Sequence, residues 1–374
     1  MGNGRSEAAV RHLTDLLRTR YAPAGLVLTD SGTTALRTAL VGALAARPGA
    51  AALLPAFCCY DLATAANGAD VPVVLYDIDP HSLAPDLASL RRGLRFDIGA
   101  IVVVHLYGYP VDLAEVNRLA AEAGAMVIED AAQAAGATLR ARPLGTQSSV
   151  AVLSFGRGKG MTGGGGGALL AHDEAGTAIV DQARAELAAP ERGWSGLTAV
   201  AAQMLLERPD LYALPAALPF LHLGETIYRL PHQPRHATPA SCAVVAATWG
   251  LAERELEARR SNAERLLAAI GRRGPAFDAI RTSPEALPGY LRLAVLASPE
   301  ARRAAAGNAA RRLGVRASYP KVLSEVEQLA HRCVNRDGAF PGGQILASRL
   351  LTVPTHGRLG TEDLNRLERW LGGP

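Results

Sequence analysis

Lysine is almost missing from this chain of 374 residues. Of its 39 basic residues only Lys159 and Lys321 are lysines, and the rest are arginines. The basic residues exceed the 35 acidic ones by four and are spread along the chain. The sequence therefore lacks the basic block that follows nucleic-acid phosphates, and we predict no nucleic-acid partner. The same scarcity makes Lys159 stand out.

Cysteine and long apolar runs are scarce as well. Four cysteines, two of them adjacent at Cys58 and Cys59, are too few for a disulfide scaffold in a chain of this length. They also lack partners at metal-ligand spacing, so we predict no metal site. We find no charged-then-apolar leader and no run of about 20 apolar residues. We therefore expect a reducing, cytoplasmic location and no membrane-spanning segment.

Short apolar runs alternate with helical patterns over the first 170 residues. The runs lie at 26–29, 51–54, 71–76, 99–106, 125–129, 149–155 and 167–171. This alternation predicts an α/β fold with a large, mainly parallel sheet and helices on both of its faces. After an irregular stretch at 208–240, a long helix at 237–272 and a further helix at 299–312 predict a smaller α+β domain. We place the two domains at 1–240 and 241–374.

Lys159 lies on a glycine-rich turn. It belongs to Ser-Phe-Gly-Arg-Gly-Lys-Gly-Met-Thr and is followed by five glycines at 163–167. The strand at 125–129 leads into Asp130, and ligands of parallel sheets bind beyond the carboxyl ends of the strands. This pairing suits pyridoxal phosphate (PLP), because the lysine can form the imine and the acid can keep the ring nitrogen protonated. The alternatives are a solvated surface lysine and an acid that only caps a helix.

Residues 30–36, Asp-Ser-Gly-Thr-Thr-Ala-Leu, lie where a strand ends and a helix begins. Small residues there leave backbone N–H groups free at a helix N-terminus, which attracts an anion. The segment can equally be a simple helix cap. Ser154, five residues before Lys159, is a candidate to hold the cofactor phosphate.

Three polar residues follow other predicted strands. Gln133 lies three residues after Asp130 and could reach the cofactor ring or its phenolic oxygen. His105 and Tyr107 end the strand at 99–106. Each of these two could line a pocket or pack beneath it.

Taken in order, these segments resemble the DegT/DnrJ/EryC1/StrS family of PLP enzymes, which are largely sugar aminotransferases. The family has the fold-type-I architecture of aspartate aminotransferase. The matching stretches lie at 31–36, 54–57, 74–79, 104–108, 128–134, 154–159, 166–169 and 353–359. The resemblance runs from about residue 25 to the C-terminus and is strongest over 30–170.

The resemblance implies a role for each candidate residue. Lys159 would carry the Schiff base and shuttle the proton, and Asp130 would pair with the ring nitrogen. Gln133 would lie by the phenolic oxygen. The residues implied to hold the phosphate are Gly32, Thr33 and Ser154. The family is typically dimeric, with each site completed by the partner subunit.

The sequence departs from the family pattern at three points. The family often stacks an aromatic residue on the cofactor ring at the position of Cys59, next to Tyr60, so either side chain could face the ring. A glutamate of the family's glycine run is replaced by Gly165. The partner segment Asn-Tyr-Arg, which helps to hold the phosphate, is matched best by residues 233–235, Gln-Pro-Arg.

The resemblance implies an aminotransferase that takes an amino group from L-glutamate and transfers it to a ketone on a nucleotide-linked sugar. Two alternatives stay open. One is another PLP reaction of natural-product assembly, such as elimination or aldol cleavage, and the other is a non-catalytic binding or regulatory module. The apolar stretch 211–227 could cover the site mouth, touch a membrane or pack at a dimer interface, and we favour the interface.

Overall fold

The computed structural model describes residues 3–190, 227–270 and 276–372. The strands of the described residues are, in chain order, β1 (Gly25–Thr29), β2 (Ala51–Pro55), β3 (Val73–Tyr76), β4 (Ile98–Val104), β5 (Met126–Asp130), β6 (Thr138–Leu139), β7 (Arg142–Pro143), β8 (Val150–Ser154), β9 (Gly167–Ala171), β10 (Phe277–Ala279), β11 (Ala286–Leu287), β12 (Leu293–Ala297), β13 (Arg316–Ala317) and β14 (Leu350–Val353).

The helices of the same residues surround these strands. They are α1 (Asn3–Tyr21), α2 (Gly32–Leu44), α3 (Asp61–Ala69), α4 (Leu87–Gly93), α5 (Ala114–Ala123), α6 (Glu174–Glu186), α7 (Pro239–Ala247), α8 (Trp249–Ile270), α9 (Pro299–Ala304), α10 (Asn308–Arg312), α11 (Pro341–Arg349) and α12 (Thr361–Leu371). Short 3-10 turns lie at Leu106–Gly108, Leu323–Glu325 and Glu327–Leu329.

The large sheet has seven strands in the order β1-β9-β8-β5-β4-β2-β3. Strand β9 is antiparallel to both of its neighbours, and the other adjacent pairs are parallel. All seven residues of β4, Ile-Gly-Ala-Ile-Val-Val-Val, are buried, as expected for a strand covered on both faces. The predicted α/β architecture is confirmed, and each predicted apolar run of this sheet forms a strand.

A second, antiparallel sheet has the order β10-β12-β14-β13. One face packs against α8 and α12, with Leu293 and Val295 buried beside Leu266 and Leu367. The alternate residue Leu296 joins the core of the large sheet instead. The predicted smaller α+β unit is therefore present. The proposed boundary at residue 240 stays a prediction.

Two predicted helices are each divided in two, so the predictions of single helices were wrong. The helix expected at 237–272 is broken at Thr248 (φ −99°, ψ 5°), whose hydroxyl donates to the carbonyl of Val244 at 2.8 Å. The backbone N–H of Thr248 donates to the same carbonyl at 3.0 Å, so the hydroxyl bond is added to the helical one. The helix expected at 299–312 is interrupted at Gly307, the N-cap of α10.

Several sequence predictions fall on residues that lie outside the described part of the chain. They are residues 208–226 of the irregular stretch and all but the last residue of the apolar stretch 211–227. Among the described residues, no helix is long and apolar enough to cross a membrane. The same residues contain no cluster of three or more side chains that could hold a metal ion.

Candidate active site

The candidate residues gather at the carboxyl ends of the parallel strands. Strands β5 and β8 are neighbours, with Asp130 in register with Val152, so the end of β5 lies beside the start of the loop that carries Lys159. On the other side of β8, Ser154 pairs with Gly167 of β9. Parallel strands end at one edge of their sheet, and this edge is the usual ligand position.

Asp130 is a buried acid with its side chain 6% exposed. Burial raises the pKa of its carboxyl, whereas the N–H of Ala132, which donates to Oδ1 at 3.0 Å, lowers it. The ammonium of Lys159 also lowers the pKa of Asp130. The two charged groups therefore lie within electrostatic reach of each other, as the cofactor hypothesis requires.

Lys159 sits on a tight turn next to Gly158, which has a positive φ of 74°. The backbone N–H of Lys159 donates to the carbonyl of Gly156 at 3.3 Å. Its side chain is half-buried, and its ammonium has no hydrogen-bond partner in the described part of the chain. The amine is thus held near Asp130 while remaining available to a ligand.

The N-terminus of α2 forms a cup for an anion. Ser31 is the N-cap, and its hydroxyl accepts the N–H of Thr34 at 3.0 Å. The N–H groups of Gly32 and Thr33 belong to the first turn, so they have no acceptor within the helix. The Ser154 side chain lies directly opposite, since a Cβ on Gly32 would be 3.0 Å from its Oγ. Two amides and a hydroxyl at a helix N-terminus suit a phosphate.

We expect Gly32→Ala to weaken phosphate binding, because the added Cβ would lie 2.7 Å from Cβ of Ser154. Such overpacking costs roughly 1–3 kcal/mol of folding free energy. Cofactor affinity, measured by titration of the cofactor-free protein, should fall with it. The control is Gly250→Ala on α8, where the nearest atom is Nη1 of Arg254 at 4.0 Å. Equal cofactor affinity in the two variants would argue against the cup.

The glycines at 163–167 include three that pack closely against neighbouring segments of the chain. A Cβ on Gly163 would lie 2.5 Å from Oγ of Ser241, and a Cβ on Gly166 would lie 2.9 Å from the same atom. At Gly167 the close neighbours are Ser31 and the N-terminus of α2. The glycines therefore allow close packing against α7 and the anion cup. This packing is enough to explain why positions 163 and 166 are glycines.

The Cys59 side chain is partly buried beside Asp61. Its thiol donates to Oδ2 of Asp61 at 3.4 Å. Burial raises the pKa of Cys59 to about 12, the Asp61 carboxylate raises it as well, and the Lys159 ammonium lowers it. The thiol is therefore protonated at neutral pH and lies within electrostatic reach of the amine.

Tyr60 points in another direction. Its hydroxyl donates to the carbonyl oxygen of Lys321 at 3.5 Å, and its ring centroid is 6.4 Å from that of Tyr319. Contact between Tyr60 and the cofactor ring stays a prediction. Of the two adjacent side chains, Cys59 is the one whose pKa Lys159 affects.

Gln133 is buried, and its amide is bonded at both ends. Oε1 accepts the backbone N–H of Tyr107 at 3.1 Å, and Nε2 donates to the hydroxyl of Tyr319 at 3.1 Å. Tyr319 comes from the segment that follows β13. Sequence reasoning missed it, because no local pattern links it to Gln133.

His105 lies beneath the site and does not line it. Its side chain is fully buried, and Nε2 lies 2.9 Å from Oε1 of Glu129. Nδ1 accepts the N–H of Val111 at 3.1 Å, so Nε2 carries the proton and donates it to Glu129. The carboxylate also accepts the N–H groups of Gly145 at 2.5 Å and Gln147 at 2.7 Å. Sequence reasoning gave Glu129 no role of its own and placed it only within the strand at 125–129.

We expect Glu129→Gln to destabilise the fold by roughly 2–4 kcal/mol, because an amide N–H would face buried donors. Burial alone raises the pKa of Glu129, but its hydrogen bonds lower it overall. Its stabilisation is therefore present above the unfolded pKa of about 4.3 and is lost as the pH falls through the lower folded value. Denaturant unfolding of both proteins should show a difference that shrinks in acid.

The control for this measurement is Glu122→Gln, an exposed carboxylate on α5 that pairs with Arg118. Exposed pairs contribute about 0–1 kcal/mol, so this variant should unfold almost as the wild type does. If Glu129→Gln were as stable as Glu122→Gln at neutral pH, the buried carboxylate would not stabilise the fold beneath the site.

Residues 233–235 lie beside the end of β1. The carbonyl of Arg235 accepts the N–H of Asp30 at 2.9 Å. Its guanidinium donates to the carbonyl of Ala189 at 3.2 Å and to Oε1 of Gln233 at 3.1 Å. The segment thus runs next to the anion cup of its own chain, and its predicted contact with a partner subunit's phosphate is untested.

The residues at this edge fit PLP chemically. They supply an amine without a hydrogen-bond partner in the described ranges, a buried carboxyl within its electrostatic reach and a helix N-terminus that faces a serine hydroxyl. The glycine at position 32 leaves room that a Cβ would fill. These are the amine, acid and anion site that the cofactor needs.

Comparisons with known proteins show what this chain is similar to. A sequence model of the DegT/DnrJ/EryC1/StrS aminotransferase family matches residues 9–194. The chain is 34% identical over 160 residues to the L-glutamine:2-deoxy-scyllo-inosose aminotransferase of Micromonospora echinospora, covering 43% of this chain and 38% of that protein. It is 39% identical over 149 residues to the dTDP-3-amino-3,4,6-trideoxy-alpha-D-glucose transaminase of Streptomyces venezuelae, covering 38% of each. The matched stretch is thus well under half of either relative.

Comparison of structures extends the similarity to the whole chain. The crystal structure of the sugar aminotransferase CalS13 from Micromonospora echinospora superposes with a TM-score of 0.76 at 20% identity. The superposition covers 100% of this chain and 97% of that one. The fold is therefore that of the fold-type-I aminotransferases, and this chain belongs to the DegT/DnrJ/EryC1/StrS aminotransferase family.

Proposed function

We propose that this protein is a PLP-dependent aminotransferase. It takes an amino group from an amino acid, L-glutamate in the first instance, and transfers it to a ketone of a nucleotide-linked sugar. The observation that carries the proposal is the available amine of Lys159 within electrostatic reach of the buried Asp130 carboxyl. A surface lysine or a simple helix cap would not require this pairing.

Each residue has a defined task in this proposal. When bound, PLP supplies an electron sink that stabilises negative charge on the carbon next to the substrate nitrogen. Lys159 holds the cofactor and then carries a proton to and from that carbon. Asp130 holds a proton on the ring nitrogen. The residues that bind the phosphate are Gly32, Thr33 and Ser154.

The names of the relatives support a keto acceptor of the sugar or cyclitol type. One relative is named for a dTDP-linked amino sugar, and another for an inosose with L-glutamine as donor. Other similar proteins are a GDP-perosamine synthase and a UDP-sugar aminotransferase. Nucleotide-linked sugars thus recur among them, and we propose such a sugar as the acceptor.

The test separates donor from acceptor. Purified protein with its cofactor is first mixed with L-glutamate or L-glutamine alone, and the visible absorbance and cofactor mass are followed. Conversion to the amino form of the cofactor is the expected result. The aminated protein is then offered a nucleotide-linked keto sugar or an inosose. A protein that holds the cofactor but accepts no amino group from common donors would favour elimination or aldol chemistry.

We further propose a cytoplasmic homodimer whose sites are shared between subunits. The resemblance to the family supports this arrangement, and the apolar stretch 211–227 is our candidate for its interface. Light scattering during size-exclusion chromatography should give twice the mass of 39.1 kDa. A monomer that still turns over substrate would contradict the shared site.

A further inference from the structure

Tyr319 is a residue of the smaller unit whose side chain reaches the candidate active site. It follows β13 and is buried against the large domain. Its ring centroid is 6.0 Å from that of Tyr107, with an angle of 18° between the planes, and 5.4 Å from that of Phe57. A side chain of the smaller unit therefore forms part of the wall beside Gln133.

The contacts of Gln133 give its amide one orientation. Oε1 faces the backbone N–H of Tyr107, which can only donate, and Nε2 faces the hydroxyl of Tyr319. A flipped amide would point its own N–H groups at the N–H of Tyr107. One N–H of Nε2 remains without an acceptor within the described ranges. The amide thus combines a fixed orientation with a spare donor.

The backbone at Tyr107 has an unfavourable conformation, which contacts from the smaller unit hold in place. Its φ of 55° lies in the left-handed region, which is rare for a bulky residue. Its carbonyl accepts the N–H of Leu291 at 2.9 Å, and its hydroxyl is bonded to Ser318. Residues just before β12 and just after β13 therefore hold Tyr107 where its N–H meets Gln133. Strain of this kind persists when surrounding contacts fix it, and it clusters at functional sites.

We propose that Tyr319 is a positioning residue that acts through Gln133. Its hydroxyl fixes the Gln133 amide so that the spare N–H is presented to the phenolic oxygen of the bound cofactor. The proposal depends on the proposed function, because it requires PLP at this site. A donor at that oxygen favours its ionised form and so lowers the pH at which the linkage between Lys159 and the cofactor loses its proton.

The variant Tyr319→Phe removes one oxygen and keeps the ring. We expect the midpoint of the pH titration of the visible absorbance to rise by at least about half a unit, because the phenolic oxygen loses an oriented donor. Cofactor affinity should weaken roughly fivefold, the effect of one lost hydrogen bond. Turnover should fall through kcat, with the KM for the amino donor little changed.

Tyr109→Phe is the matched control. The Tyr109 hydroxyl is also buried between the two sheets, where it accepts the N–H of Ala294 at 3.1 Å, but it does not bond to Gln133. Its loss should lower thermal stability and leave the absorbance titration and cofactor affinity unchanged. A purely structural role for Tyr319 would make the two variants behave alike, and that result would overturn the proposal.

Gln133→Ala, together with Tyr319→Phe and the double variant, forms a double-mutant cycle. Gln133→Ala should reproduce the shift of Tyr319→Phe, and the double variant should show no further shift, because both substitutions remove the same donor. Additive shifts would overturn the proposal, as would an unchanged midpoint in either single variant. If Tyr319→Phe does not fold, Gln133→Ala still tests the donor on which the proposal depends, and an unchanged midpoint in that variant overturns it. A wild-type protein that binds no PLP would instead refute the proposed function before any variant is compared.

Discussion

Lys159→Ala should lower turnover by at least about a thousandfold, because the variant loses both the attachment point of the cofactor and its proton carrier. The fold should survive. The side chain is half-buried, and its ammonium has no hydrogen-bond partner within the described ranges, so its removal should change the free energy of unfolding by less than about 0.5 kcal/mol. Steady-state turnover and thermal unfolding together test both statements.

The scarcity of lysine provides a matched control. Lys321→Ala removes the other lysine, which is exposed and contacts Tyr60 only through its backbone carbonyl. Turnover in this variant should stay within a factor of about two of wild type. Substantial turnover in Lys159→Ala, or an equal loss of turnover in both variants, would show that Lys159 does not have the assigned role.

Asp130→Asn should lower turnover by roughly 10²–10⁴-fold, the range expected when a positioned acid or base is lost. An amide cannot hold a proton on the ring nitrogen, whereas its oxygen can still accept the N–H of Ala132. The local structure should therefore be retained. Kinetics on the variant reconstituted with excess cofactor separate this loss from weaker cofactor binding.

The same substitution should not reduce stability. Burial raises the pKa of Asp130, so the carboxyl stabilises the fold in its protonated form and this contribution is lost as the pH rises through the folded value. At pH 7 the cofactor-free variant should unfold at the same or a higher denaturant concentration than wild type. The gain should vanish below about pH 3.9, where the carboxyl is protonated in both states. Exposed Asp112, replaced in the same way, is the control with unchanged turnover. A variant that is both active and less stable would contradict the account of Asp130.

The placement of Lys159 and Asp130 follows from sequence because the rules involved are local or general. Apolar runs of four to eight residues identified the strands, and parallel strands bring their carboxyl ends to one edge. The role of the first turn of α2 could also be predicted from sequence, since small residues after a strand are typical of an anion-binding helix N-terminus. These features depend on residues that are close in sequence or on the topology of the sheet.

The remaining features depend on contacts between distant segments. Gln133 and Tyr319 are 186 positions apart, and the glycine run and Ser241 are joined by a bond across 76 positions. The break at Thr248 lies two residues before Gly250, a local signal that the prediction of one long helix did not use. The backbone N–H of Thr248 still donates to the carbonyl of Val244 at 3.0 Å, so the side-chain bond does not replace the helical one. Contacts between segments far apart in sequence, such as Gln133 with Tyr319 and Ser241 with Gly165, therefore could not be predicted from local patterns.

The attachment of PLP to Lys159 is the central claim, and reductive fixation tests it most directly. Purified protein is treated with borohydride, which makes an imine permanent, and is then digested and analysed by tandem mass spectrometry. We expect the added cofactor mass on the peptide that contains Lys159. A label on Lys321, or a protein that holds PLP without any covalent label, would contradict the account.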